Sequence, residues 1–283
     1  MTLNEIMMSL EIGLIYGIVA LGIYITFRII DFPDLTCDGS FVFGAAVSSM
    51  LIKSGYNPWF AIIAALITGC MAGIATGILY TRLKITDLLS GILISFMLYS
   101  VNLHVMGGLP NIALAQYNTI FYQTSAIGIL CFIALLICLT IGYIFITDFG
   151  LAVRSIGQNK RLAQNSGVNI KMMTIIGLAL SNGLIALGGA LFSQSQGFVD
   201  IGSGVGTVIV GLASVMIGER ILQCRSMLVQ IISCIIGSVV YRMLIGLALH
   251  SDVFGMQTSD LNLITGIMVI AIMYMPRRRY ANS

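Results

Sequence analysis

Long apolar runs separated by short polar breaks fill this chain. Candidate helices read from the runs cover 10–30, 39–54, 58–81, 87–106, 125–147, 171–194, 204–218, 226–249 and 260–276. Most have the length of about 20 residues that a helix needs to cross a bilayer. The runs at 39–54 and 204–218 are short for a crossing and read as candidates for broken or re-entrant helices. None of the runs alternates polar and apolar residues as a barrel strand would, so the backbone must be satisfied within helices. The expected fold is all-α. It is a polytopic membrane bundle of about eight spans (range about 7–10), forming a single domain over residues 1–283.

The polar breaks carry the orientation. Between Phe149 and Lys171 the chain reads FGLAVRSIGQNKRLAQNSGVNIK, with Arg154, Lys160, Arg161 and Lys171. Uncharged stretches flank it, Leu88 to Thr147 and Met172 to Val199. Basic residues favour the cytoplasmic side of a membrane. Arg277, Arg278 and Arg279 follow the last run and place the C-terminus there. Working backwards, Arg220, Arg225, the insert at about 148–170, Arg82 and Lys84 fall on the same side, with Lys53 an exception. Met1 is outside if 39–54 crosses fully and inside if that run is re-entrant. Within the insert, Val153 to Ser166 is expected to form one amphipathic helix, stopped by Gly167. Such a helix lies on lipid headgroups or docks in a groove of a cytoplasmic protein.

Composition narrows the function classes. Hydrophobic residues make up 58% of the chain and charged residues 9%. A soluble domain needs about 25% charged residues. Glu5 and Glu11 stand where a signal peptide would have a basic region, so the first run reads as a retained span. Cys37, Cys70, Cys131, Cys138, Cys224 and Cys234 lack metal or disulfide spacing and read as small hydrophobes. No Walker A, HExxH or GxSxG pattern occurs, and the spans lack the paired carboxylates or His–Asp sets of an intramembrane enzyme. No catalytic residue, metal site or nucleic-acid partner is expected. His104 and His250 read as interfacial residues near the outer ends of their spans. Gly69, Gly73 and Gly77 form a ladder for close helix packing, and Gly202, Gly204 and Gly206 are expected to unwind the start of the 204–218 helix.

Few polar residues remain that could meet a solute. Asp34, Thr36, Asp38 and Ser40 lie in the DFPDLTCDGS segment at 31–40, between two apolar runs. Two readings stay open there: a polar loop in which Asp38 or Ser40 caps the next helix, or a discontinuous segment lining a path. Tyr99 and Asn102 lie on one span and Asn182 on another. Arg242 follows Ser226 by sixteen residues, about 24 Å along a helix. It either snorkels to the outer headgroups or faces a path and meets an anionic group.

The insert and the segment after it resemble permeases of the branched-chain amino acid and ribose ABC importers. Gly150, Arg154, Gly157, Asn159, Ala163, Gly167 and Val168 fit that family's pattern in the loop that contacts the ATPase. Asp31, Pro33, Asp34, Leu35, Thr36, Asp38, Gly39, Ser40 and Phe41 are similar to the DxPDLTxDGSF motif of a subgroup of tryptophan/tyrosine or uncharacterised solute importers. The resemblance implies a coupling helix that includes Arg154, Gly157, Gln158, Asn159, Lys160, Arg161, Ala163, Gln164 and Gly167. It implies a second permease copy, a cytoplasmic ABC ATPase dimer and an extracytoplasmic binding protein or lipoprotein. ATP and Mg would sit on the partner ATPase, with no cofactor on this chain. The expected role is import of a small solute, an amino acid of aromatic or related type, across the bacterial inner membrane. A nucleoside, vitamin or sugar remains open as the solute, and an ion-coupled secondary transporter as the mechanism.

Overall fold

The computed structural model describes residues 3–122, 125–222, 226–250, 263, 265–267 and 270–271. Cys224, Arg225, the side chain of His250, residues 251–262, most of the candidate run at 260–276 and the arginines at 277–279 lie outside the described residues. The elements run α1 (Leu3–Tyr24), a π-helical turn (Ile25–Ile30), α2 (Thr36–Lys53), α3 (Pro58–Thr81), α4 (Asp87–Val105), β1 (Asn111–Ala113), α5 (Ala126–Ile146), α6 (Asp148–Gln158), α7 (Lys160–Asn165), α8 (Ile170–Gln196), β2 (Phe198–Asp200), α9 (Thr207–Ile221) and α10 (Met227–His250). Among the described residues six helices are long and apolar enough to cross a membrane: α1 with the π-helical turn, α3, α4, α5, α8 and α10. The helical membrane bundle is as the sequence predicts. The short helices α2 and α9 complete it from inside.

Helix α8 is the axis of the bundle, and small residues let its neighbours come close. On α3, the ladder Gly69, Gly73 and Gly77 meets Asn182, Leu178 and Ile175 of α8 in turn, so the two helices are antiparallel. A Cβ on Gly73 would overlap the Leu178 carbonyl. In lipid, where burial alone drives little association, such backbone approach supplies the dispersion that holds helices together. Helix α2 runs parallel to α8, with Ser40 beside Asn182, Gly44 against Ala186 and Ser48 beside Gln194. Helix α1 is antiparallel to it, with Gly22 against Ser181 and Ile185. Helix α10 packs antiparallel on α1, Val239 against Gly13 and Ile235 against Gly17.

These registers define two faces. The C-terminal ends of α1, α3, α5 and α9 and the starts of α8 and α10 share one face with α6 and α7. Arg28, Arg82, Lys84, Arg154, Lys160, Arg161, Lys171 and Arg220 gather there, while Lys53 lies at the other face. Helix α2 leads from the bundle interior to the opposite face, so the N-terminus of α1 lies opposite the insert. The opposite face carries a feature the apolar pattern did not suggest. There β1 and β2 pair antiparallel, Ile112 with Val199.

Candidate functional site

Two breaks in the helical path meet inside the bundle. The first follows the π-helical turn Ile25–Ile30. Such turns hold an extra residue and recur at functional sites. The chain then reverses through Asp31, whose φ of 58° is left-handed, a conformation that Asp tolerates better than most side chains. Pro33 lies in the irregular stretch that follows, and α2 begins at Thr36. Asp34 is fully buried. Its carboxylate accepts hydrogen bonds from the Thr36 N–H (2.8 Å) and from Asn182 Nδ2 (2.7 Å). Asn182 also donates to the Leu178 carbonyl (3.1 Å) and accepts from the Ser40 hydroxyl (2.7 Å). Asn182 is twelve residues past Ile170 on a 27-residue helix, about 18 Å along it and near the middle of the bundle. Thr36 Oγ1 meets Thr76 Oγ1 of α3 at 2.7 Å, and Asn102 Nδ2 donates to the Gly39 carbonyl (3.2 Å).

The second break descends from β2 through 201–206. Gly204 passes so close to α2 that a Cβ there would overlap the Asp38 carbonyl, and Gly206 has a φ of 86°. Helix α9 therefore starts within the bundle. Asp38 closes its N-terminus, accepting from the Gly206 N–H (3.2 Å) and the Val208 N–H (3.0 Å). With little water at that depth, the orphan donors of a helix start need such an acceptor, and a carboxylate also suits the positive end of the dipole. The glycines at 202, 204 and 206 thus unwind the start of α9 as the sequence suggests. The cap of α2 differs from expectation: Asp34 provides it, whereas Asp38 caps α9 and Ser40 binds Asn182. Asn102 Oδ1 and Thr207 Oγ1, both beside the Asp38 turn, are buried without a hydrogen-bond partner among the described residues.

The basic insert packs directly on the first break. It forms two helices, not the single helix expected over Val153–Ser166. The division falls at Asn159, an extended residue whose side chain caps α7 by accepting from the Leu162 N–H (3.1 Å). Gly167 ends α7 as expected, at φ 83°, with the Val168 N–H on the Ala163 carbonyl and the Gly167 N–H on the Gln164 carbonyl. Val153, Ile156 and Ala163 are buried. Gly157 sits where a Cβ would overlap the Ile29 carbonyl of the π-helical turn. Lys160 Nζ reaches the Tyr80 hydroxyl (3.4 Å), and the Tyr80 ring meets Phe32 edge-on at 5.0 Å. Leu151, Gln158, Lys160, Arg161, Leu162 and Gln164 remain on the surface, exposed or partly so, and Arg154 is half-buried.

The other predicted path residues separate. Asp34, Thr36, Ser40 and Asn182 form one buried hydrogen-bonded network, and Asn102 is buried beside it on the Gly39 carbonyl. Tyr99 stands on the exposed flank of α4, 54% exposed. The Arg242 guanidinium lies 5.3 Å from the centre of the Tyr16 ring. It points into the bundle, not to the outer headgroups.

The family model for "Branched-chain amino acid transport system / permease component" matches residues 6–273. The chain is 39% identical over 262 residues to a tyrosine transport system permease protein of Clostridioides difficile, covering 92% of this chain and 88% of the relative. It is 35% identical over 274 residues to an uncharacterized protein of Rickettsia prowazekii, covering 94% and 96%. An autoinducer 2 import system permease protein of Salmonella typhimurium is 27% identical over 224 residues, covering 77% of this chain and 62% of the relative. No solved structure matches. The chain belongs to the branched-chain amino acid transport permease family.

This permease is the membrane-spanning transport subunit of an ABC-type importer, not an enzyme. Its site includes residues that sequence reasoning passed over. Arg28 of the π-helical turn forms an ion pair with Glu219 near the C-terminal end of α9. The π-helical turn thereby holds the C-terminal end of α9, and the first turn of α2, through Asp38, its N-terminal end. A signal was present: after Glu11, Glu219 is the only glutamate in the chain. The permease also stacks Tyr16 on Phe41 (5.8 Å), with Phe192 edge-on to Tyr16 (6.1 Å). No spacing in the sequence links those rings, because they come from three helices.

Proposed function

We propose that this permease carries an amino acid, aromatic or related, into the bacterial cytoplasm, driven by ATP hydrolysis on a partner ATPase. On this reading the face with α6 and α7 is cytoplasmic, as is the C-terminus, and the basic residues gathered there support the orientation. The observation that carries the mechanism is the seat of Gly157 on the Ile29 carbonyl, at the start of the first break. The α6–α7 insert is the coupling element. An ATPase dimer docks on its exposed side through Arg154, Gln158, Lys160, Arg161 and Gln164. When the ATPase closes, the insert moves against the π-helical turn. A second route runs from Lys160 through Tyr80 to Phe32. Motion at Ile29 and Phe32 shifts the Asp34–Asn182 network and the Asp38 cap of α9, which separate the two faces. The bundle then alternates between outward- and inward-facing states. A second permease copy and an extracytoplasmic binding protein or lipoprotein complete the transporter in the inner membrane.

The amino acid assignment is supported by the name of the Clostridioides difficile relative. The Salmonella relative is named for autoinducer 2, so related chains serve other small solutes. Ion coupling is less well supported, since Asp34 and Asp38 are both engaged by protein donors. The test is uptake of labelled tyrosine by cells producing the permease with its partners, together with co-purification of an ATPase. Arg154→Glu combined with Lys160→Glu is expected to abolish both. Intact ATPase association and uptake in that variant would sink the coupling assignment.

A further inference from the structure

Arg242, partly buried on α10, brings its guanidinium over a buried tyrosine of α1. On the register of α10 with α1, its backbone is level with residue 10, and Tyr16 lies about 9 Å farther in. Its head nevertheless rests over the Tyr16 ring. The side chain follows the tilt of Cα–Cβ bonds toward the helix N-terminus, here toward the bundle centre. Its Nε is buried and has no hydrogen-bond partner among the described residues. Tyr16 packs with Phe41 and Phe192, and Val208 joins the same cluster. The Val208 N–H is held by Asp38, and next to it Thr207 Oγ1 is buried without a partner among the described residues. A cation, three aromatic rings and an anion-capped helix start therefore lie side by side, in the half of the bundle opposite the insert.

Arg242 is partly buried, with its Nε enclosed and unpartnered among the described residues, and a guanidinium so placed favours an anionic partner, because the face of one ring replaces only part of its hydration. Its planar fork matches a carboxylate, with two parallel N–H donors meeting two oxygens. We propose that Arg242 receives the carboxylate of the transported solute, while the Tyr16, Phe41 and Phe192 rings beside it take a flat apolar side chain. This rests on the reading of the chain as an amino acid importer. It adds the group that recognises the solute within the permease, separately from selection by a binding protein.

The experiment uses the whole transporter reconstituted in liposomes, with L-tyrosine as the probe. Arg242→Met is expected to lower uptake at saturating loaded binding protein by about tenfold or more, the scale of a lost charged hydrogen bond. Assembly with the ATPase and its basal ATP hydrolysis should stay unchanged. Arg242→Lys, which keeps charge without the fork, should fall between. A second measurement needs no variant. Tyrosine and 3-(4-hydroxyphenyl)propanoate, which share a carboxylate, should raise the melting temperature of the purified transporter without its binding protein, and tyramine should not. Wild-type uptake by Arg242→Met, or equal stabilisation by tyramine, would overturn the proposal. If the wild-type transporter takes up no amino acid, the import reading itself fails, and that result is in hand before any Arg242 variant is made.

Discussion

The carboxylate of Asp38 on α2 accepts a hydrogen bond from the backbone N–H of Val208 on α9 at 3.0 Å, across 170 residues of sequence. A second bond from the Gly206 N–H, 3.2 Å, completes the cap. Asp38→Ala would leave these donors unpaired in a partly buried site, at a cost of about 1–3 kcal/mol. Asp38→Asn should cost less, since its side-chain oxygen still accepts. Melting of the purified permease followed by size-exclusion chromatography checks this; equal melting of Asp38→Ala and the wild type would remove the cap from the account.

Asn182 ties three elements together, donating to Asp34 and to the Leu178 carbonyl and accepting from Ser40. Asn182→Leu keeps the side-chain volume but leaves a buried carboxylate short of a donor and a buried hydroxyl without an acceptor. A loss of at least about 2 kcal/mol is expected. Removing Ser40 as well, as Ser40→Ala with Asn182→Leu, should add little, because the Ser40 hydroxyl has already lost its acceptor. Full additivity of the two losses would show that they do not act through one network.

Two glycines of the insert should respond for different reasons. Gly157 packs on the Ile29 carbonyl, so Gly157→Val forces α6 off the π-helical turn at about 1–3 kcal/mol. Because the exposed residues of the insert are untouched, the ATPase should still co-purify while uptake per ATP hydrolysed falls. Gly167 has open space around it but a φ of 83°, so Gly167→Ala meets backbone strain alone, about 1 kcal/mol. Unchanged coupling in Gly157→Val would refute the lever.

The Arg28–Glu219 pair is partly solvated, its side chains 40% and 27% exposed. Its contribution is expected within about 0–1 kcal/mol. The informative variant is the exchange Arg28→Glu with Glu219→Arg, which should restore melting lost in either single change. If the exchange melts lower than both single variants, attraction between these charges is not what joins the π-helical turn to α9.

Much of this was legible along the chain. The apolar runs mark the long helices, because a backbone in lipid must satisfy itself locally. The ladder Gly69, Gly73 and Gly77 announced close packing, and Gly167 a helix stop, since each depends on its own backbone. The break at Asn159 was hidden: the insert's apolar and polar residues fit one continuous helix, and the extended backbone of Asn159, with its side chain capping α7, shows only in the structure. The exchange of caps was hidden as well, because the donors that Asp38 satisfies are 170 residues away. Tyr99 and Asn102 show the limit of span-by-span reading. They are three residues apart on α4, yet packing against α2 buries Asn102 and leaves Tyr99 exposed.

By itself the sequence determined the membrane class, the long apolar helices, the side bias of the basic residues and the transport family. The first three follow from local composition and periodicity, which lipid and water read one segment at a time; the family rests on resemblance of the insert and of the 31–41 motif to known permeases. The tertiary structure decided the rest: that α2 leads from the interior to the far face and puts the N-terminus opposite the insert, that Asp34 and Asp38 cap different helices, and that Arg242 turns inward over Tyr16. Each depends on which helices lie side by side. Close approach at glycines and the need to pair buried donors set that arrangement, and no single segment encodes either.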